Sequence, residues 1–411
     1  MPTRLLCVTN DVSLPANSGG RVDIWRRMRA LKAAGAELAL VCWYDAGRSA
    51  APTAEVIGEL ECIYSVVKII PIERSAVELF SRAVNLGRMP SHAAARWVTT
   101  DRNGLSTWAS TFKPDAVLLD GLYGGAVARW LSDTFVIPLF YRSHNVEHAY
   151  MRQQFQRADR FKARVGLLAN RIGLARFERK TIRDAIRVFD ISLDDCATWR
   201  AEGYSHVEWL PPLVDSDFVF RLGQQSPGEA IDVLYFGNLN TPNNVNGVLW
   251  LLKEVVPGLK AAQPQINIVI AGSHPVTTII DAAKRLAVNL IENPKDVAPL
   301  LKNARVLVNP VFAGSGVNIK TVEMLFSTAY LVSTTQGLAG LPVEVTSHFY
   351  RADTRETFVE TILNVLQSGV GPKNGDREAA RQLFFSARAA GWLRTMEKDI
   401  EQYRTSRAPI V

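Results

Sequence analysis

The segment GSGVNIKTVE, from Gly314 to Glu323, concentrates residues that suit anion chemistry. It follows the apolar run RVLVNPV and opens a helical pattern. Gly314 and Gly316 allow close backbone approach. The free amides at Ser315, Asn318 and Ile319 then face outward at a helix start, where the peptide dipoles favour negative charge. Lys320 can add a full positive charge. Glu323 lies three residues on, on the same helix side, where a carboxylate can accept two hydroxyls such as those of a ribose. A plain glycine-rich turn with a surface Lys–Glu pair is the other reading of these residues.

Two further clusters sit where a strand pattern ends. Ser18, Gly19, Gly20 and Arg21 follow the run LLCVTN and precede a helix, but lack the full GxGxxG of a nicotinamide site. They suit contacts to phosphates or to a second substrate, or form an ordinary strand–helix turn. His144, Asn145, Glu147 and His148 follow IPLFYRS. HNVEH is not HExxH, so a zinc protease is excluded. His144 is the first choice for a group that orients a substrate or moves a proton, and Glu147 the second. A histidine that only packs or caps the strand end is the alternative. Asp120 and Tyr123, after AVLLD, are candidates for the same wall. Asp215-Ser216-Asp217 follows a double proline and reads as a solvated turn. No metal and no cofactor are expected.

These clusters need parallel strands that end together. The order of strand, glycine loop, helix and strand over residues 5–44 is a βαβ unit, with further strands expected at 63–71, 116–119, 137–141 and 188–192. After WLPPLVDSD the scheme restarts: strands at 231–237, 266–272, 288–293, 305–311 and 330–337, with helices at 245–259, 277–286 and 318–328. The fold class is α/β, two Rossmann-like doubly wound domains with an inter-domain cleft. The domains are expected over 1–210 and 211–385, with a closing helix over 386–411 that packs back toward the first.

Composition sets the outer bounds. Apolar residues at 47% and charged residues at 21% are globular values. With 47 Lys and Arg against 40 Asp and Glu, the net charge is +7, which suits an anionic ligand or membrane surface. No nucleic-acid module is present. The four cysteines form no CxxC pair and read as reduced thiols. No apolar run reaches the roughly 18 residues of a membrane span, so a cytoplasmic, soluble or peripheral protein is expected. Residues 151–187 hold 11 Lys and Arg against three acids, interleaved with Phe155, Phe161, Val165, Leu167, Leu168 and Phe177. That suits docking on anionic lipid, or an ordinary solvated face.

GSGVNIKTVEML followed by YLVSTTQGLAGL resembles the donor segment of retaining GT-B glycosyltransferases of family 4. The resemblance extends in order to SGGRVDIWRRMRALKAAG, YRSHNVEH, FERKTIRDAIRVFDIS, LPPLVD and YFGNLNTPNNVNGVLWL, and so covers most of the chain. It implies transfer of a sugar from a nucleotide-diphosphate sugar to a glycan or lipid-linked acceptor, as in bacterial polysaccharide or lipopolysaccharide enzymes. The first domain then binds the acceptor near Arg21, Asp120, Tyr123 and Asn145, with His144 on the acceptor side of the donor sugar. The donor lies on Gly19, Gly20, Asn238, the 314–319 loop and Glu323. Two departures stand out. The first glutamate of the family's pair falls on Ser315, and the family's diphosphate-binding Arg and Lys read Asn238 and Asn243 or Asn244. Lys320 is expected to supply that charge. Sugar-nucleotide 2-epimerases share the fold, and a non-catalytic partner-binding relative or, more remotely, a nicotinamide dehydrogenase are the other functional readings.

Overall fold

The computed structural model describes residues 1–73, 75–157, 161–224, 228–368 and 376–407. It divides into two compact units. The first comprises residues 1–16, 20–210 and 387–411, and the second residues 17–19 and 211–386.

The first unit is built on seven strands: β1 (Arg4–Thr9), β2 (Glu37–Asp45), β3 (Val66–Ile72), β4 (Ala116–Asp120), β5 (Leu139–Ser143), β6 (Arg187–Asp190) and β7 (Val207–Trp209). All are parallel, in the order β3-β2-β1-β4-β5-β6-β7. Both faces of this sheet are covered, which is why its strands are apolar at nearly every position. Leu6 and Val8 enter one core cluster, and Leu5 and Cys7 the opposite one. The C-terminal helix Ala389–Arg407 adds Trp392, Leu393, Met396 and Ile400 to the second cluster. Arg187 fixes it with bonds of 2.5 and 2.8 Å to Asp399.

The second unit has six parallel strands: β8 (Ile231–Asn238), β9 (Ile268–Ser273), β10 (Asn289–Glu292), β11 (Ala304–Asn309), β12 (Tyr330–Ser333) and β13 (Phe349–Arg351). Their order, β10-β9-β8-β11-β12-β13, repeats the pattern of the first sheet. In each unit the strand order reverses beside the first strand, so β1/β4 and β8/β11 are the switch points where ligands collect in such sheets.

Several elements differ from their expected extents. The short strands β7 and β13 have too few residues for an alternating pattern to emerge. The basic stretch is three helices, Glu147–Arg157, Phe161–Arg171 and Leu174–Asp184. Gly173, at φ 73°, separates the last two, and residues 158–160 lie outside the described residues. The single helix over 245–259 is interrupted: Pro242–Trp250 runs through a π-helical turn, Leu251–Val255, into Val256–Ala262. Pro257 lacks the N–H that a regular helix would use there. The segment expected to be strand over 330–337 leaves the sheet after Ser333, where Gln336–Leu338 forms a 3₁₀ turn.

Candidate functional site

In the second unit, the loop after β11 enters the helix Ile319–Leu325. Gly314 (φ 147°) and Gly316 (φ 68°) adopt backbone conformations that side chains disfavour, so the turn depends on glycine. The helix start is anchored from below. Thr321 Oγ1 donates to the Gly337 carbonyl at 2.7 Å and accepts from Asn309 Nδ2 at 2.8 Å. At seven residues, the helix is shorter than the 318–328 expected. Its last carbonyls are closed off by Arg381, whose Nε donates to Leu325 at 3.0 Å, and by Arg377, whose Nη1 donates to Ser327 at 2.9 Å. So short a helix adds little dipole field, and the main source of positive charge here is Lys320.

Lys320 is buried, and its Nζ has no hydrogen-bond partner among the described residues. The ammonium lies 3.8 Å from the centre of the Tyr235 ring, on the strand beside it. A Cβ at Gly237 would stand 3.2 Å from Lys320 Cε and 3.4 Å from Nζ, so the missing side chain at the end of β8 makes room for the ammonium. Burial pushes the Lys320 pKa down to about 7, opposed by Glu323. A buried ammonium held only by a ring face is costly unless an anion completes it. Asn238 and Asn244 flank the same strand end. The Asn238 carbonyl accepts from Asn244 Nδ2 at 2.8 Å, and its side-chain oxygen accepts from the Asn240 amide at 2.9 Å. Ser315, Asn318, Ile319 and Glu323 are all partly exposed around this point.

In the first unit, register sets the site. Asp120 pairs with Thr9 on β1 and with Arg142 on β5, so the ends of three strands are level. His144 follows β5, and its Nε2 lies 2.6 Å from Asp120 Oδ1. Its other nitrogen, Nδ1, lies 3.7 Å from Asp23 Oδ2. Beneath the ring, Arg27 bridges Asp23 and Asp120, and Arg142 Nη2 donates to Asp23 at 3.2 Å. All four charged side chains are buried. Burial alone would raise both carboxyl pKa values. Arg27 overrides it at Asp23, helped by Arg142 and His144, and Arg27 and His144 override it at Asp120, so both are held below the usual range. Two carboxylates and two guanidiniums cancel, leaving a neutral, rigid seat for the imidazole.

The rest of HNVEH is tied inward. Glu178 is fully buried and accepts the Glu147 amide at 2.7 Å and the His148 amide at 3.1 Å. It also bonds His148 Nδ1 at 2.6 Å. Glu147 accepts from Tyr123 Oη at 3.1 Å and from Asn145 Nδ2 at 3.4 Å, and burial followed by Glu178 raises its pKa. Asp23, Arg27 and Glu178 are the side chains that sequence reasoning passes over. The one available signal is the i, i+4 spacing of Asp23 and Arg27, which reads equally well as a surface pair. Gly19 and Gly20 open the helix Gly19–Ala33, with Arg21 partly exposed in its first turn.

Residues 230–368 match a family described as "Glycosyl transferases group 1". A curated relative, a 44.6 kDa uncharacterised protein in the cps region of Klebsiella pneumoniae, is 24% identical over 379 residues, covering 90% of this chain and 92% of its own. Among solved structures, HepE of Anabaena in complex with UDP superposes with a TM-score of 0.63 at 12% identity, over 97% of this chain and 100% of its own. HepE has also been solved with UDP-glucose, with a TM-score of 0.55 at 12% identity, over 98% and 99% of the two chains. The sucrose-phosphate synthase of Thermosynechococcus elongatus gives 0.65 at 14% identity, over 97% and 99% of the two chains. Such structural likenesses carry the two-domain GT-B fold.

The buried ammonium has a signature independent of any ligand. Its folded pKa of about 7 lies below the roughly 10.4 of an unfolded lysine. The unfolded chain therefore binds more protons between those values. Lys320 makes stability rise with pH across that window, by at most roughly 1.4 kcal/mol per pH unit, and contributes no pH dependence below it. Urea unfolding of wild type and Lys320→Met from pH 6 to 10 should differ by that slope. Parallel curves would show that the ammonium is not buried.

Proposed function

We propose a finer reading of this chain, a glycosyltransferase of the GT-B fold whose residues 230–368 belong to the group 1 glycosyl transferases. It moves a sugar from a nucleotide-diphosphate sugar to an acceptor in polysaccharide or lipopolysaccharide synthesis, with retention of configuration. The second unit holds the donor. The observation that carries this is Lys320, a buried cation without a hydrogen-bond partner among the described residues, at the end of β8 and beside a glycine-dependent loop. A diphosphate supplies the missing partner. As the glycosidic bond breaks, charge grows on the leaving diphosphate, so a fixed cation there stabilises the transition state more than the ground state. Glu323 takes the ribose hydroxyls. The nucleotides bound by HepE make UDP-sugars the first donors to try. The pathway assignment draws on the cps-region relative and on the motif resemblance.

His144 serves the transfer step rather than nucleotide binding. Its Nε2 is held by Asp120 and its Nδ1 lies 3.7 Å from Asp23, so two carboxylates fix the orientation of the ring. Orientation of the sugar is the favoured role, since positioning precedes attack by any nucleophile. Two variants separate the residues. Lys320→Ala should weaken nucleotide-diphosphate binding about ten- to a hundred-fold, the worth of a charge-assisted phosphate contact. His144→Ala should keep nucleotide affinity and lose both transfer and donor hydrolysis. Retained hydrolysis with lost transfer would assign His144 to acceptor activation, and normal turnover in either variant removes that residue from the site.

A peripheral membrane location accompanies this reading. Among the described residues no helix is long and apolar enough to cross a membrane. Val165, Leu168 and Ile172 are exposed on and just beyond the helix Phe161–Arg171, and Val77, Leu79, Phe80 and Val84 are exposed on the helix Ala76–Asn85. Both helices pack on the helix Ser91–Thr99. Arg164 and Arg171 lie over the Phe155 ring beside the first group. Apolar side chains ringed by arginine fit an anionic lipid surface. Cosedimentation with phosphatidylglycerol vesicles should fall with salt, and fall several-fold in Phe80→Ser/Leu168→Ser. Equal binding to neutral vesicles, or no loss in the variant, contradicts the proposal.

A further inference from the structure

A cavity of about 580 Å³ opens in the first unit at the carboxyl ends of β1, β2 and β3. Its wall includes Arg21, Arg48, Arg82, Arg96, His92 and Tyr123. Two carboxylates, Asp11 and Asp45, face the four guanidiniums there. Asp11 lies 3.0 Å from Arg96, and Asp45 lies 3.6 Å from Arg48. Among the described residues the lining therefore carries four arginines against two carboxylates, unlike the balanced set beneath His144.

The cations differ in what they can do. Arg96 is buried and spent on protein acceptors: the Asn10 carbonyl at 2.8 and 2.9 Å, the His92 carbonyl at 2.9 Å, and Asp11. It contributes a fixed field. Arg48 is largely exposed and pairs with Asp45, Arg21 is partly exposed, and Arg82 is partly exposed while its Nη2 donates to Ser91 Oγ at 3.5 Å. His92 is held by a fork from Asn170, whose Oδ1 accepts the His92 amide at 2.9 Å and whose Nδ2 lies 3.0 Å from His92 Nε2. With Nε2 accepting from that amide group, the neutral ring carries its proton on Nδ1. Tyr123 packs edge-on against the ring at 5.1 Å.

We propose that this cavity receives the phosphoryl-bearing part of the acceptor, with Arg21, Arg48 and Arg82 around the phosphoryl group and the His92 Nδ1–H as a neutral donor. This rests on the glycosyl-transfer reading above. The volume suits a sugar together with its phosphate rather than a phosphate alone. Arginines on separate elements can reach several oxygens of one phosphoryl group, as their planar donor forks favour. A field this positive has a measurable consequence at His92. His92 is open to solvent on one side, yet desolvation by the surrounding protein first, then Arg96, Arg82 and Arg48 with Asp45 opposing, push its pKa down. A bound anion cancels the arginine contribution and moves the ring's titration upward.

The test is ¹⁵N NMR of the full chain labelled in histidine, with the His92 signals assigned by their loss in His92→Gln. Glucose 1-phosphate and inorganic pyrophosphate are the probes, with glucose and glucuronate as controls. Either phosphoryl probe should raise the His92 pKa by about one unit or more. Arg48→Gln/Arg82→Gln should weaken that response at least ten-fold. A larger response to pyrophosphate indicates a carrier-linked diphosphate acceptor, and a larger one to glucose 1-phosphate a sugar monophosphate. No response, or an equal response to glucuronate, overturns the proposal. UDP-glucose binding to the wild type is measured in parallel. If it is absent while His92 responds, the transfer reading fails and the anion site stands.

Discussion

The second unit is organised around one uncompensated charge. An ammonium sunk against Tyr235 with no hydrogen-bond acceptor among the described residues is a site at which folding leaves work for a ligand. Its neighbours follow from that requirement. Gly237 has no side chain because the lysine occupies the space, and the 314–316 turn uses two glycines to leave backbone amides accessible. Thr321, Asn309 and Gly337 lock the first turn of the following helix, which carries the lysine. Arg377 and Arg381 satisfy the other end of that helix from outside the sheet.

The first unit uses charge in two opposite ways. Under His144, Asp23, Asp120, Arg27 and Arg142 neutralise one another away from water. Breaking such a buried set by removing one member is costly, so it positions the imidazole firmly. In the cavity beyond β1–β3, arginines outnumber carboxylates and several remain open to solvent. Balanced charges hold a residue in place, whereas surplus charges attract something from solution. That distinction is the ground on which we propose His144 for the positioned chemistry of the chain and the Arg48 and Arg82 cavity for recognition.

Much of the architecture is legible in the sequence because both sheets are buried on both faces. β1, β2, β8 and β9 are continuous apolar runs bounded by loops, and only a parallel sheet covered by helices needs them. The helices over 54–112 leave no such mark. Ala76–Asn85 buries none of its residues, and its apolar positions therefore do not describe a core stripe. The glycine spacing identifies the 314–323 loop, yet nothing in it says that Lys320 is buried, since Lys and Glu three residues apart describe a surface pair equally well. The Asp23–Arg27–Asp120–Arg142 set joins residues from three distant segments, a contact that depends on strand register. Glu178 sits among basic residues and looks solvated, but the fold turns it inward to cap the helix Glu147–Arg157.

The most direct measurement is calorimetry of UDP binding to the full chain at pH 8, in buffers that differ in ionisation enthalpy. Burial lowers the Lys320 pKa to about 7, so part of its charge is lost at that pH, and a diphosphate on its nitrogen restores it. The account predicts net proton uptake on UDP binding by the wild type, and none by Lys320→Ala. Binding without proton uptake, or equal uptake by both proteins, would contradict the claim that Lys320 is the cation that receives the donor's diphosphate.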